Sequence, residues 1–181
     1  MKKIAKGFTL MELMIVVMII AVIAGFTYPL YDKYVMRGHR NEARQALTAA
    51  AQYYVSNYSR ARRYDKVYDP DKPFAPADWA DVKTLSDLGL DRTQNGLYQI
   101  KLTFVNNKVA DSEETAQGFV LEAEAIGKQA RDKCKFIQLT HTNTKTASST
   151  AITSGSAIDE AAYKSLSLNP RDSLSLECWR G

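Results

Sequence analysis

From Leu13 to Tyr31 the sequence reads LMIVVMIIAVIAGFTYPLY, nineteen residues without a charge. About 20 apolar residues in a helix span the hydrocarbon core of a bilayer, so the stretch predicts a membrane-inserting helix. The remainder is polar enough to bring the mean hydropathy of the chain down to −0.30. One apolar N-terminal segment and one soluble domain are therefore expected. With 181 residues, 45% of them hydrophobic and 24% charged, there is room for one modest domain, and collagen-like, disulfide-dense and wholly disordered classes are excluded.

The isoelectric point near 9.0 invites a nucleic-acid partner, but the charge is unevenly placed. Residues 1–7 carry +3 from Lys2, Lys3 and Lys6, residues 8–29 carry −1 from Glu12, residues 30–66 carry +5, and residues 67–181 carry −3. Without residues 1–7 the chain has 21 Lys/Arg against 20 Asp/Glu. A basic neck thus precedes a mildly acidic body.

Two readings of the N-terminus compete. A cleaved signal peptide would use the three lysines as its basic region and a small-residue site after Val22-Ile23-Ala24. A retained anchor would keep the helix. Lys33, Arg37 and Arg40 lie beyond the apolar run, so basic residues flank both ends and leave its orientation open. Glu12 argues against the signal peptide. A carboxylate in a membrane segment costs roughly 2.5–3.5 kcal/mol at the centre and less near an end, and marks function by default. Thr9-Leu10-Met11-Glu12 also fits a helix capping box, worth about 1 kcal/mol, which offsets part of that cost.

Gly7 followed by Phe8-Thr9-Leu10-Met11-Glu12-Leu13-Met14-Ile15-Val16-Val17 resembles the N-terminus of type IV prepilins and pseudopilins. The likeness includes a short basic leader, the Gly7–Phe8 junction, a glutamate five residues into the mature chain, and Pro29 late in the apolar helix. It implies cleavage between Gly7 and Phe8 by a prepilin peptidase, N-methylation of Phe8, and transfer from the inner membrane into a filament whose core is made of these helices. Glu12 would pair with a neighbouring subunit's N-terminal amine, lowering the cost of both charges in an apolar core. Gly25 and Pro29 predict a helix interruption, since proline removes a ladder bond and crowds the preceding turn. Many pilins carry a glycine earlier in this helix, where Ala21 stands here.

Ala43, Leu47, Ala50, Tyr54 and Tyr58 recur at three- and four-residue spacing through a segment with few breakers, predicting that the helix continues to Tyr64 with one apolar stripe. Residues 65–96 read as a loop, with a short helix over 78–88 from the spacing of Trp79, Val82, Leu85 and Leu88. Leu97–Phe104, Gly118–Ile126 and Lys135–Thr140 predict strands. Tyr98, Ile100, Leu102 and Phe104 share one face of the first. Phe119, Leu121, Ala123 and Ala125 share one face of the second, opposite Glu122 and Glu124. Residues 141–157 read as an exposed Thr/Ser-rich loop. The expected fold is α+β, a long helix packed on a C-terminal antiparallel sheet, as the pilin resemblance also implies. Its divisions are a leader at 1–7, an apolar helix at 8–30, an amphipathic half-helix at 31–64 and a head at 65–181.

Cys134 and Cys178 are the two cysteines. They fit no zinc motif, and an even pair in an exported domain favours a disulfide, worth roughly 4 kcal/mol in the chain-entropy model for a loop of this length. The stretch Gln129–Cys134 and the terminal Cys178-Trp179 resemble PilE-type minor pilins. Arg60, Arg62, Arg63 and Lys66, interleaved with Tyr58, Tyr64 and Tyr68, could grip DNA phosphates and stack bases, or simply form a solvated helix end. His39 and His141 stand alone, with no nucleophile motif or phosphate loop, so neither an enzyme nor a cofactor is expected. The reading is a minor subunit of a type IV pilus, partnered by other pilins, the prepilin peptidase and the inner-membrane assembly machinery. A type II secretion pseudopilin and a membrane-anchored or secreted DNA- or ligand-binding domain stay open as alternatives.

Overall fold

A computed structural model describes residues 7–107, 115–151, 157–166 and 168–180, leaving aside the side chains of 26–30 and 107. The chain divides into two units, with the boundary between Arg37 and Gly38. Helix α1 is Leu10–Ala61, 52 residues.

In the first unit the apolar side chains from Phe8 to Ile23 are exposed. Val16, Val17, Ile19 and Ile20 are weak helix formers in water, and this run gains a helix most readily where no solvent competes for the backbone. The interruption expected at Gly25 and Pro29 is not found: α1 is continuous through both. A proline ring crowds the carbonyl four residues back, and that residue here is Gly25, which has the most freedom to adjust. Among the described residues no helix is long and apolar enough to cross a membrane. The apolar run at 8–30 includes the side chains of 26–30, which lie outside the description.

In the second unit Ala43, Leu47, Ala50 and Tyr54 are fully buried, and with Tyr58 they form the predicted stripe. They pack on a five-stranded sheet built from β1 (Tyr98–Asn107), β2 (Thr115–Ala125), β3 (Phe136–Thr140), β4 (Lys145–Ser148) and β5 (Ile158–Asp159), in the order β4-β3-β2-β1-β5. Neighbours are antiparallel except β5, which pairs parallel to β1 over two residues. The register sets Ile100 against Ala123, Leu102 against Leu121 and Phe104 against Phe119, then Leu121 against Leu139 and Ala123 against Ile137. Period-two alternation therefore places all of these on one face, under the helix. The fold is α+β, as expected.

Four details differ from the sequence reading. Helix α1 stops at Ala61 rather than Tyr64, because Arg62 turns into the left-handed region (φ 58°) while its amide donates to the Tyr58 carbonyl at 2.9 Å. That is the usual helix-ending geometry, built here with arginine where glycine is typical. Residues 78–88 form no α-helix. The amide of Val67 donates to Ala80 O and that of Val82 to Asp65 O, so the segment lies extended along 65–67, with Trp79, Val82 and Leu85 buried. The Thr-rich stretch is not all loop, since it supplies β4. Finally, the second sheet face is buried at its centre, where Thr103, Val120, Glu122, Gln138 and Thr146 are inaccessible. There the Gln138 amide donates to Glu122 Oε2 at 3.1 Å and Thr146 Oγ1 donates to Gln138 Oε1 at 3.1 Å.

Two short helices complete the second unit, α2 (Glu160–Ser165) and α3 (Ser173–Arg180). Asp159 caps α2 by accepting from the Ala162 amide at 2.6 Å.

Candidate assembly and nucleic-acid interfaces

At the start of α1, Thr9 and Glu12 close the capping box. The Thr9 amide and hydroxyl both donate to Glu12 Oε2 at 2.9 Å, and the Glu12 amide donates to Thr9 Oγ1 at 3.2 Å. Phe8, just before it, is 86% exposed, and no described residue fills the space where a side chain on Gly7 would stand. The arrangement presents one carboxylate at the head of an exposed apolar helix.

The basic cluster at the other end of α1 is not a free patch of four cations. Arg63 is buried and makes a two-pronged bond to Asp65, Nε to Oδ1 at 2.8 Å and the terminal nitrogen to Oδ2 at 2.6 Å. Lys66 Nζ lies 2.8 Å from Asp81 Oδ1. Tyr58 stacks on Tyr64 with centroids 4.5 Å apart, and Tyr68 meets Trp79 edge-on, so these rings are already engaged with one another. Arg60 and Arg62 remain exposed.

A second cationic surface lies at the C-terminal end of the chain, and its sequence signal was slight. Cys134 and Cys178 are bridged, fastening α3 beside the start of β3. The Ser175 hydroxyl accepts from the Ala147 amide at 2.9 Å, and the Trp179 indole donates to Thr146 O at 2.9 Å. Lys133 pairs with Glu177, and the Arg44 guanidinium donates to Trp179 O. Helix α3 is thereby held against β4 and α1 together. Lys145, projecting from β4, sits 5.5 Å from the centre of the Trp179 ring. Beside them opens a cleft of about 500 Å³, lined in part by Asn143, Lys145, Trp179 and the exposed Arg180. A cleft lined by two cations and an aromatic side chain suits a phosphate group, with one side of the Trp179 ring already taken by Lys145. Trp179 drew notice only as the neighbour of Cys178, and Lys145 lies unmarked inside the Thr-rich run; the folding of β4 against α3 brings them together.

Underneath this surface runs a buried polar network. Arg40 grips Asp132, with Nε to Oδ2 at 2.7 Å, and both are almost inaccessible. This bond, with the charge of Asp132, raises the Arg40 pKa against the opposing effect of burial. The Gln129 amide donates to Asp132 Oδ2 at 2.6 Å and to the Tyr98 hydroxyl at 3.2 Å, and that hydroxyl donates to Cys134 O at 3.2 Å. Burial pushes the Tyr98 phenol up to about 12. The network ties α1 to the segment that carries Cys134. Among the described residues no group of three or more His, Cys, Asp or Glu is placed to hold a metal ion.

The profile of a family described as "Type IV minor pilin ComP, DNA uptake sequence receptor" matches residues 29–138, more than half of the chain. The chain belongs to the ComP minor pilin family. The prokaryotic N-terminal methylation motif matches residues 2–28, so the two matches together run from residue 2 to residue 138, in β3. Among curated proteins, the type IV major fimbrial protein FimA of Dichelobacter nodosus is 52% identical over 42 residues, 23% of this chain and 26% of that protein. Fimbrial protein EcpC of Eikenella corrodens is 49% identical over 43 residues, 24% of this chain and 28% of that protein. The chain thus spans about a quarter of the length of the curated relatives it matches. The ComP match ends in β3, and the cleft at Lys145 and Trp179 lies beyond it.

Proposed function

We propose that this chain is a minor subunit of a type IV pilus that carries a DNA-binding face on its head. The observation that carries the reading is the ComP family match over residues 29–138, joined to the methylation motif over residues 2–28. In this reading a prepilin peptidase removes residues 1–7 and methylates the amine of Phe8. The mature subunit is held in the inner membrane by the helix over 8–30, with its head in the periplasm, and then joins an extracellular filament through that helix. Residues 31–64 support the head, residues 65–181. The exposed side chains of Phe8–Ile23 support burial against other subunits, and the Thr9–Glu12 box leaves the carboxylate at the helix start, where a neighbour's amine would meet it. Glu12 then sets the register of one helix against the next. The Cys134–Cys178 bridge favours a pilus over a secretion pseudopilus.

DNA would lie on the exposed cations. Lys145 and Arg180 with Trp179 form the face that the geometry supports best, because their cleft combines two cations with an aromatic ring. Arg60 and Arg62 offer a second point of attachment, whereas Arg63 and Lys66 are engaged by Asp65 and Asp81. The test is retardation of duplex DNA by the full chain in detergent micelles, across a salt series. Lys145→Ala with Arg180→Ala is expected to weaken retention and to make the salt slope shallower by about 1 for each phosphate no longer neutralised. A wild-type chain that leaves DNA unshifted at low salt overturns the DNA reading. A double variant indistinguishable from wild type moves the site to Arg60 and Arg62.

A further inference from the structure

Asn95-Gly96 is the only Asn-Gly pair in the sequence. The pair is chemically distinctive. The amide nitrogen of the residue after an asparagine can attack the side-chain carbonyl carbon, expelling ammonia and closing a succinimide ring. Water then opens the ring at either carbonyl, giving aspartate or, with the backbone rerouted through the side chain, isoaspartate. A following glycine presents no side chain to obstruct the attack. Asn95 is exposed and lies in the tight turn that leads into β1, which makes it the place in the head where this reaction would be expected first.

The fold opposes the reaction at both reacting groups. Glu42, on α1, receives the Asn95 backbone amide on Oε1 at 2.8 Å and the Asn95 side-chain nitrogen on Oε2 at 2.9 Å. The nitrogen that must leave is therefore held by a carboxylate, and the side chain is fixed relative to its own backbone. The attacking nitrogen is engaged as well: Gly96 has φ +63° and donates its amide to Thr93 O at 2.8 Å. Thr93 is anchored in turn, exchanging bonds with Tyr98 through its amide (3.0 Å) and its hydroxyl (3.1 Å). Closing the ring requires the Asn95 side chain to leave Glu42 and the Gly96 amide to leave Thr93.

We propose that Asn95 is a deamidation site and that Glu42 is the residue that keeps it unreacted while the head is folded. The change, once made, is one-way. An aspartate at position 95 sets a second carboxylate where the amide nitrogen had faced Glu42 Oε2, and like charges at that separation repel. Isoaspartate adds a methylene to the backbone inside a turn that positions Tyr98. Either product releases the turn from α1, so a head that opens locally for long enough becomes marked.

The test incubates the full-length protein in detergent at mildly alkaline pH and follows the Asn95 peptide by mass spectrometry, with an isoaspartate assay alongside. Glu42→Ala is expected to convert Asn95 roughly tenfold faster than wild type, the rate equivalent of losing one charge-assisted hydrogen bond. In strong denaturant the two proteins should convert at the same rate. Val105→Ala, buried at the opposite end of β1 where it pairs with Gly118 and Ile158, separates guarding from general instability and should leave Asn95 slow at a matched thermal midpoint. A Glu42→Ala protein no faster than wild type overturns the proposal, as does a Val105→Ala protein that speeds conversion equally.

Discussion

The His141 ring occupies the space that a side chain at Gly118 would need: a Cβ there would stand 2.6 Å from His141 Cε1 and 2.7 Å from Nδ1. Gly118 sits in β2 opposite Val105, beside the register shift at Val105/Asn106. The His141 amide donates to Phe119 O at 3.0 Å, which holds the ring over this point. Gly118→Ala is therefore expected to displace the imidazole and lower stability by about 1–3 kcal/mol, the usual cost of overpacking. Chemical denaturation checks the size. His141→Ala in the same background should recover most of the loss.

His141 also predicts an acid-sensitive head. Its ring is packed among Tyr64, Phe119 and Tyr163, with centroids 5.5–6.2 Å away, and among the described residues its buried Nδ1 has no hydrogen-bond partner. Burial lowers its pKa from 6.5, against smaller opposing effects of the Phe119 carbonyl and the Glu160 charge. The unfolded chain therefore binds the proton more readily than the folded one, and stability rises with pH across this titration. It is complete above the unfolded value and is lost as pH falls from 6.5 toward the lower folded value. Thermal midpoints measured across that window should decline in wild type and flatten in His141→Gln.

The Arg40–Asp132 pair makes a sharper energetic prediction. Removing one partner leaves the other buried and charged, so Arg40→Met should cost about 3–5 kcal/mol. Arg40→Met with Asp132→Leu should recover much of that, since no charge is then stranded. A double-mutant cycle by denaturant melts gives both numbers. Equal losses in the single and double variants would show that the pair is not the source of the penalty.

Glu12 is accessible to the same logic in the filament. If its carboxylate registers one helix against the next, Glu12→Leu should be cleaved after Gly7 normally yet fail to enter filaments. Mass spectrometry of the mature N-terminus and immunoblots of sheared pili read the two steps separately. Normal incorporation removes the registration role. The helix cap itself would lose only about 1 kcal/mol, too little to abolish assembly alone.

Where side-chain spacing alone decides an element, the sequence was sufficient. Ala43, Leu47, Ala50 and Tyr54 repeat at helical spacing and are all buried, and the alternation in β1 and β2 gave the correct face for Ile100, Leu121 and Ala123. It misled where one spacing serves two backbones. Trp79, Val82 and Leu85 have helical intervals, yet they are buried in a segment drawn out by pairing with residues 65–67. Alternation puts Glu122 opposite the apolar face without saying what covers it, and only the partner strand reveals Gln138 beside it. Charges were the least legible. Nothing local indicates that Asp81 takes Lys66, or that Lys145 and Trp179, 34 positions apart, share a cleft.

The Cys134–Cys178 bridge has a mechanical consequence. A tensile load entering at the start of α1 and leaving at Trp179 follows the backbone through β1 and β2 to Cys134, then crosses the sulfurs to Cys178. Residues 135–177, with β3, β4, β5 and α2, form a covalent ring outside that path. Should the contacts of Trp179 with Arg44 and Thr146 give way under such a load, the chain up to Cys134 is what would lengthen, because the sulfurs keep residues 135–177 out of the stretched path.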